Sequence, residues 1–171
     1  MQTHNDEEGR AKVRELIKDI HIAQLVTQGH DGMMHARPMA AMQDKNDSSS
    51  LWFMTRIDSG KIGEIEANGQ VLLAYSEPKQ QNYVSISGKA KVLHDRARIH
   101  ELWSEFARTW FPKGPDDPSI ALIRVTPEQA EYWDSPSSTL VYAYGYLKAR
   151  LTGESPKNMG DIGHVDYKIP A

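Results

Sequence analysis

The apolar segments of this chain are joined mostly by short polar turns, and this limits the fold more than any other feature. The runs at 22–27 and 33–42 flank Gly29-His30-Asp31-Gly32, a turn that favours a β-hairpin. Further strand-like runs lie at 51–55, 71–75, 83–93 and 120–125. Parallel neighbours would need crossovers of about a dozen residues or more, usually helical, and most of these links are too short. The pattern therefore predicts a mainly β fold, a closed or partly closed antiparallel barrel of six strands.

Three helices are predicted to flank this barrel. Residues 6–20 and 59–68 have apolar residues at helical spacing, and Asn68-Gly69 would end the second helix in the left-handed conformation. Asp95 is placed to cap a third helix, with an apolar face of Ile99, Leu102, Trp103, Phe106 and Trp110. Gly88 predicts a bend or bulge in the strand 83–93. Thr126-Pro127-Glu128-Gln129 predicts one helical turn after the last strand.

No internal repeat or linker divides the sequence, so we predict a single domain over 1–171 with its barrel core at about 20–133. The remaining segment, 134–171, is expected at a dimer interface or on the surface. Within it, 140–151 fits either a final helix or an edge segment. The tail from Thr152 onward contains Gly, Pro and Lys and is predicted to lie on the surface or to be mobile.

Composition excludes several classes of function. The chain has no cysteine, which rules out disulfides, thiolate metal sites and a cysteine nucleophile and fits a reducing cytoplasm. A formal charge of −3 provides no broad basic field for nucleic acid. No apolar run reaches the length of a membrane span, and the polar N-terminus is no secretory signal. The seven histidines show no metal-ligand spacing. We expect a cytoplasmic protein without nucleic-acid, membrane or metal partners.

The segment from Phe53 to Lys61 is the strongest candidate for a binding site. A strand ends in the hydroxyl of Thr55, the chain turns, and a helix begins near Ser59 and Lys61. Free amides at a helix start, two hydroxyls and one ammonium would suit an anion such as phosphate. Ser and Thr also begin many ordinary helices, so this segment fits either a capped turn or an anion site.

A second candidate lies in the strand before it, at Arg37-Pro38-Met39. Proline donates no hydrogen bond to a sheet, so the stretch is expected at an edge or beside a ligand. Arg37 could reach a phosphate or a ring carbonyl with paired donors. The alternative interpretation is a surface arginine on an edge strand.

Taken together, these motifs resemble a known family. Thr-x-x-x-Ser-x-Lys, preceded by Arg-Pro-Met, is similar to the flavin-binding split barrel of the pyridoxamine 5′-phosphate oxidase-like superfamily, and more narrowly to the general stress protein 26 type. The later stretches 83–90, 125–128 and Glu131-Tyr132-Trp133 agree with the superfamily's long central strand and its aromatic segment. The resemblance spans roughly Val13 to Trp133 and implies a six-stranded antiparallel split β-barrel with flanking helices.

The resemblance implies a flavin mononucleotide (FMN) cofactor, with FAD and riboflavin as alternatives. Thr55, Ser59 and Lys61 would hold the phosphate, and Arg37 would lie beside it or near the ribityl chain. Four other residues would line the isoalloxazine ring: Pro38, Met39, Phe53 and Met54. Trp133 would approach the ring from the other subunit, because members of this superfamily form homodimers with flavin sites at the interface. The alternative for Trp133 is ordinary burial in the core or an interface.

Two departures from the family pattern bear on activity. True pyridoxamine phosphate oxidases resemble one another in an Arg-x-His motif after the tryptophan, and residues 135–141 contain neither residue. Tyr83 stands where such oxidases carry a glutamine. We therefore expect an FMN-dependent oxidoreductase of unknown substrate that is not a true pyridoxamine phosphate oxidase, with no catalytic side chain identified. A non-catalytic protein that stores or senses flavin is the alternative, and a split barrel that has lost the flavin or binds haem or a deazaflavin is a third.

Overall fold

The computed structural model describes residues 2–4, 7–42, 44, 47–134, 146, 150 and 160–167. Its strands within these ranges are β1 Gln2–His4, β2 Ile22–Gln28, β3 Met34–Met42, β4 Leu51–Arg56, β5 Gln70–Glu77, β6 Asn82–Leu93, β7 Ile120–Asp134 and β8 Asp161–Asp166. The helices are α1 Glu7–Ile17, α2 Gly60–Ala67 and α3 Arg96–Leu102, followed by a 3₁₀ helix at Glu105–Thr109.

Six strands close into an antiparallel barrel, as the turn pattern predicts. The order around the barrel is β2, β3, β4, β7, β6, β5 and back to β2. The β2–β3 hairpin turns at Gly32, whose φ of 81° is the left-handed conformation that glycine adopts at little cost. The barrel with flanking helices is thus confirmed. The single-domain assignment stays a prediction.

Two strands outside the barrel were not predicted. β8 pairs antiparallel with the C-terminal half of β7, and β1 pairs parallel with β8. Val165 of β8 is fully buried in the barrel cluster. The prediction of a surface or mobile tail therefore fails at Gly163 and Val165, which are buried, whereas Gly160, Asp161 and Ile162 are exposed. The predicted helix or edge segment at 140–151 lies outside the described residues, except for 146 and 150.

The long strand β7 also corrects the predicted helical turn at Thr126–Gln129. β7 runs through Pro127 without a break and pairs with β6 along its length. Ser87 pairs with Gln129 and Gly88 with Pro127, so β7 contains one extra residue at this point, a β-bulge. A proline is tolerated at a bulge because the regular ladder is interrupted there. The bulge predicted from Gly88 is confirmed, although its extra residue lies on β7.

The buried side chains form two clusters on opposite sides of the barrel wall. The inner cluster fills the barrel and includes Leu25, Phe53, Leu73, Ile86, Ile123 and Tyr132, with Val13 and Leu16 of α1 packed on it. The outer cluster lies between the wall and the α3 region and includes Trp52, Met54, Ile99, Leu102, Phe111 and Leu122. Neighbouring residues of β4 therefore enter different clusters, because successive side chains of a strand point to opposite faces.

The helices follow the predictions only in part. Asp95 caps α3 by accepting a hydrogen bond from the Arg98 N–H at 3.0 Å, as predicted. The long apolar face predicted to Trp110 is wrong, because the chain becomes extended at Trp103 (ψ 133°) and continues as a 3₁₀ helix. Phe106 and Trp110 are consequently exposed. α2 ends where predicted, but Asn68 is extended with φ −144°, not left-handed. No helix within the described ranges has the length and apolar character needed to cross a membrane.

Gly88 provides a test of the bulge. An ideal Cβ at this position would lie 2.4 Å from the Thr126 carbonyl oxygen, which belongs to the backbone and cannot move aside cheaply. We expect Gly88→Ala to lower the free energy of unfolding by about 1–3 kcal/mol, as overpacking does elsewhere. The measurement is urea denaturation followed by far-ultraviolet circular dichroism.

Gly63→Ala is the matched control for this variant. Gly63 lies inside α2, and its ideal Cβ would meet nothing closer than the His30 ring nitrogen at 3.9 Å. Alanine in a helix interior should stabilise the protein by about 0.5–1 kcal/mol relative to glycine. Equal effects of the two substitutions would contradict the close approach at the bulge.

Candidate functional site

The Lys61 ammonium is hydrogen-bonded to the polar groups that the sequence predicts to lie together. Its Nζ donates hydrogen bonds to the Thr55 Oγ1 at 2.9 Å and to the Ser59 Oγ at 2.7 Å. Thr55 ends the buried part of β4, and Lys61 lies in the first turn of α2, so the intervening turn brings them together. The hydroxyls and the ammonium predicted to converge are therefore adjacent.

The start of α2 favours an anion site over an ordinary capped turn. Ser59 is extended, with φ −76° and ψ 132°, but its side chain makes no capping hydrogen bond to the helix. Its hydroxyl is instead bonded to Lys61. An ideal Cβ at Gly60 would meet nothing within 4 Å, so the space at the side-chain position of the first helical residue is open. Uncapped amides at a helix N-terminus carry partial positive charge and attract anions.

The surroundings of Lys61 disfavour its charged form. Burial lowers the pKa of the Lys61 ammonium, the nearby Arg37 guanidinium lowers it further, and Glu64 partly offsets both. Among the described residues, no carboxylate lies within ion-pairing distance of the Lys61 Nζ. An anion that reached this point would therefore stabilise the charged form of the lysine.

These groups line one end of a cavity of about 510 Å³. Six of the nine predicted site residues contribute to its wall, namely Pro38, Met39, Met54, Thr55, Ser59 and Lys61. The rest of the described wall consists of Ile22, Ala40, Met42, Arg56, Asp58, Ala107, Trp110 and Phe111. The cavity thus combines a polar group of Thr55, Ser59 and Lys61 with a mainly apolar wall from β3, β4 and the segment after α3.

Arg37 lies close to this cavity but is engaged elsewhere. Its guanidinium forms a bidentate pair with Glu64, at 2.7 Å from Nη1 to Oε2 and 2.8 Å from Nη2 to Oε1. Nη1 also donates to the Thr27 Oγ1 at 2.6 Å. Arg37 does not contribute to the described wall of the cavity. Its predicted contact with phosphate stays a prediction, and the structure assigns its donors to a buried carboxylate.

Phe53 and Trp133 also lie apart from the cavity in this chain. Phe53 is fully buried in the inner cluster, because it points to the barrel interior while Met54 points outward. Trp133 pairs with Tyr83 and Ile162 near the end of β7. Ala121, the partner of Thr55, lies twelve residues earlier, which is about 40 Å along the strand. A contact between Trp133 and a ligand in this cavity would have to come from another subunit, and the shared site stays a prediction.

Glu64 is the site residue that sequence reasoning missed. Its carboxylate is buried and accepts hydrogen bonds from Arg37, from the Thr27 hydroxyl at 2.6 Å, and pairs with the His35 Nδ1 at 2.9 Å. The Arg37 hydrogen bonds are the main cause that lowers the pKa of Glu64 to about 2, although burial opposes them. A signal existed in the sequence, since Glu64 lies between Ile62 and Ile65 on the face of α2 that packs inward. The pair ties α2 to β2 and β3.

A second cavity is larger but lacks this polar group. It measures about 690 Å³ and borders α3, with Met42 shared between the two cavities. Arg98 in its wall is paired with Asp44 and with Glu101, the latter at 2.6 Å. No lysine and none of the nine predicted residues lines it in the described part of the chain. We therefore place the candidate site in the smaller cavity, on its chemistry. The described residues also contain no cluster of three or more His, Asp or Glu that could hold a metal ion.

A protein-family model matches most of this chain. The model described as pyridoxamine 5′-phosphate oxidase like matches residues 8–157. Protein bli-3 of Neurospora crassa is 25% identical over 131 residues, which cover 72% of this chain and 63% of the Neurospora protein. The chain therefore spans less than two thirds of that curated relative.

Solved structures share the fold. A candidate general stress protein 26 from Jannaschia sp. CCS1 superposes with a TM-score of 0.74 at 24% identity, covering 95% of this chain and all of that one. The protein from Xanthomonas citri described as a general stress FMN/FAD binding protein has a TM-score of 0.66 at 28% identity, covering 78% and 92%. The first likeness, at this identity, supports the fold alone.

The Arg37–Glu64 pair predicts a specific pH dependence of stability. Glu64 has a folded-state pKa of about 2, below its ordinary value of 4.5, so its ionised form stabilises the folded state above pH 4.5. This contribution, roughly 3 kcal/mol, should be lost as the pH falls towards 2. We expect Glu64→Gln to lower the free energy of unfolding at pH 6, and the difference from the unsubstituted protein to shrink to roughly half by pH 3.

Glu66→Gln is the matched control, because Glu66 is an exposed residue of the same helix. Guanidinium denaturation at pH 6, 5, 4 and 3 measures both variants. A stability difference for Glu64→Gln that stays constant over this range would show that the ion pair does not stabilise the fold.

Proposed function

The chain belongs to the pyridoxamine 5′-phosphate oxidase like family, and we propose that it binds a flavin, FMN in preference to riboflavin, in the cavity beside α2. The observation that carries this proposal is the Lys61 ammonium, bonded to the hydroxyls of Thr55 and Ser59 at one end of a largely apolar cavity. The description of the Xanthomonas citri neighbour as an FMN/FAD binding protein supports the same conclusion.

The charges around the cavity favour a phosphate-bearing ligand. Arg56 and Asp58 both line it and neutralise each other through two hydrogen bonds, at 3.0 and 2.9 Å. Arg37 is neutralised by Glu64. Lys61 is therefore the cation whose charge is left uncompensated among the described residues of the wall. One ammonium, two hydroxyls and the free amides of a helix start form a donor set typical of phosphate sites.

The size and wall of the cavity fit the rest of a flavin. Cofactor sites usually measure roughly 300–1,000 Å³ and are lined mainly by apolar side chains. Here the apolar wall is provided by Pro38, Met39 and Met54 from the strands and by Trp110 and Phe111 from the segment after α3. In the proposed complex, the first group holds one side of the ring system and the second group excludes water. Arg37 acts indirectly, by fixing α2 through Glu64.

We propose further that the protein is an oxidoreductase rather than a passive flavin carrier. A bound flavin supplies hydride and electron transfer by itself, so the protein need only bind it, orient it and shape access to it. Within the described wall the one carboxylate, Asp58, is paired with Arg56, which fits a site without a side-chain acid or base. The missing Arg-x-His motif argues against a pyridoxamine phosphate substrate. Those positions, 135–141, lie outside the described residues.

Anaerobic mixing of the flavin-loaded protein with reduced nicotinamide separates the enzyme from the carrier. Bleaching of the flavin absorbance supports an oxidoreductase. Stable absorbance with several reductants favours the alternative, a protein that stores or senses flavin.

Removal of the phosphate contacts should affect FMN and riboflavin differently. We expect Lys61→Ala and Thr55→Ala each to weaken FMN binding by roughly 1.5–3 kcal/mol, which is about a 10- to 150-fold loss of affinity. Riboflavin lacks the phosphate, so its affinity should change little. Quenching of flavin fluorescence during titration measures both dissociation constants.

Lys91→Ala serves as the control, because Lys91 is an exposed lysine on β6. It should leave both affinities unchanged. Equal losses of FMN and riboflavin in the Lys61 and Thr55 variants would contradict the assignment of the phosphate to this cluster. An unsubstituted protein that binds neither flavin would overturn the proposed function.

The homodimer and the cytoplasmic location remain part of this proposal. The distance along β7 between the cavity and Trp133 is the observation that supports a dimer, since it leaves Trp133 available to a second subunit. We expect multi-angle light scattering to give a dimer in the flavin-loaded state, and Trp133→Ala to weaken both flavins equally. A flavin-loaded monomer, together with unchanged flavin affinity in the Trp133→Ala variant, would contradict a site shared between two subunits.

A further inference from the structure

Trp110 has an environment that the phosphate site does not explain. It lies next to Phe111, which is buried, yet 51% of its own surface is exposed. Its side chain contributes to the wall of the candidate cavity. An indole of this size is seldom left half exposed without a partner, because a buried tryptophan gains much from apolar contact.

The segment that carries Trp110 is firmly held. Ala107 and Phe111 are buried in the outer cluster on either side of it. The N–H groups of Trp110 and Phe111 both donate to the Ala107 carbonyl at 3.0 Å. Phe106 meets the Trp110 ring edge to face, with 5.0 Å between ring centroids and 77° between planes. These contacts place the indole beside the cavity in the ligand-free chain.

The other walls of the cavity lack an aromatic group. Aliphatic and thioether side chains from β3 and β4 line the sheet side, and the phosphate-binding group occupies one end. Trp110 and Phe111 are the aromatic residues of the described wall, and Phe111 is 5% exposed while Trp110 has half its surface free. Trp110 is therefore the residue best placed to offer a ring surface to a planar ligand.

We propose that Trp110 contacts the isoalloxazine ring and stabilises its oxidised form, with Phe106 holding the indole in position. This inference rests on the proposed function. Indole is electron-rich, the oxidised flavin ring is electron-poor, and the reduced ring is electron-rich. Aromatic contact therefore favours the oxidised ring over the reduced one. Trp110 makes the flavin harder to reduce.

Substitution of Trp110 should weaken the binding of flavins with and without a phosphate to the same extent. We expect Trp110→Leu to lower the affinity for oxidised FMN and oxidised riboflavin by the same factor, about 2- to 10-fold. The affinity for reduced flavin should fall less. Titration against a redox dye should therefore show the bound flavin reduced more readily, and its fluorescence should be quenched less than in the unsubstituted protein.

Two further variants make the test specific. Trp103→Leu removes an indole from the same segment that borders the second cavity, and it should leave flavin affinity and reduction unchanged. Phe106→Leu keeps Trp110 but removes its edge-to-face partner, so it should reproduce the effect of Trp110→Leu in part. Unfolding curves and light scattering on each variant separate a change in ring contact from loss of the fold or of an assembly.

The outcomes separate this inference from the proposed function. A phosphate-dependent loss in the Lys61 variant, together with a Trp110→Leu variant of unchanged affinity and unchanged reduction, would overturn the role of Trp110 alone. Equal weakening of oxidised and reduced flavin would overturn the preference for the oxidised ring. An unsubstituted protein that binds no flavin would overturn the proposed function and this inference with it.

Discussion

The pairing of β7 with β4, β6 and β8 is the constraint on which the rest of the structure depends. Its N-terminal half joins β4 to β6 and closes the barrel, and its C-terminal half carries β8. Closure presents the outer face of β4 to the α3 region, and the cavity lies on that face beside Met54 and Phe111. The bulge opposite Gly88 adds one residue to β7 and bends the strand. A single strand can therefore close the barrel with its N-terminal half and pair with β8 through its C-terminal half.

Within this frame, the candidate site is organised by charge. Glu64 takes the donors of Arg37, and Asp58 takes those of Arg56, so each of these arginines has a carboxylate partner. Lys61 is hydrogen-bonded to two hydroxyls and to no carboxylate among the described residues. In the proposed complex the anion is attracted to Lys61, while the Arg37–Glu64 pair holds α2 in place. Lys61 provides the positive charge, whereas the Arg37–Glu64 pair fixes the position of α2.

The strands and the cluster of Thr55, Ser59 and Lys61 were predictable from local signals, whereas the missed features depend on distant pairing. Turns such as the one at Gly32 mark strand ends directly. Pro127 normally ends a strand, and only its pairing opposite Gly88 makes it tolerable within β7. The family resemblance implied that Phe53 lines the cavity wall, and because both faces of β4 are buried, alternation along the strand could not tell inner from outer. Glu64 is a single charge on a short helix in the sequence, and its partner Arg37 lies 27 residues earlier, beyond the reach of any local pattern.

The additional strands β8 and β1 change which sheet edge is exposed to other chains. A closed barrel has no free edge, but the C-terminal half of β7 extends a sheet arm, and β8 covers its otherwise open side. β1 then covers part of β8 with three residues, and it is the outermost strand of that arm in the described part of the chain. An unpaired edge this short is a poor template for a strand from a neighbouring molecule. The pairing of residues 2–4 with 163–165 thus leaves this arm with a short outer edge, and it can form only after the C-terminal strand has been synthesised.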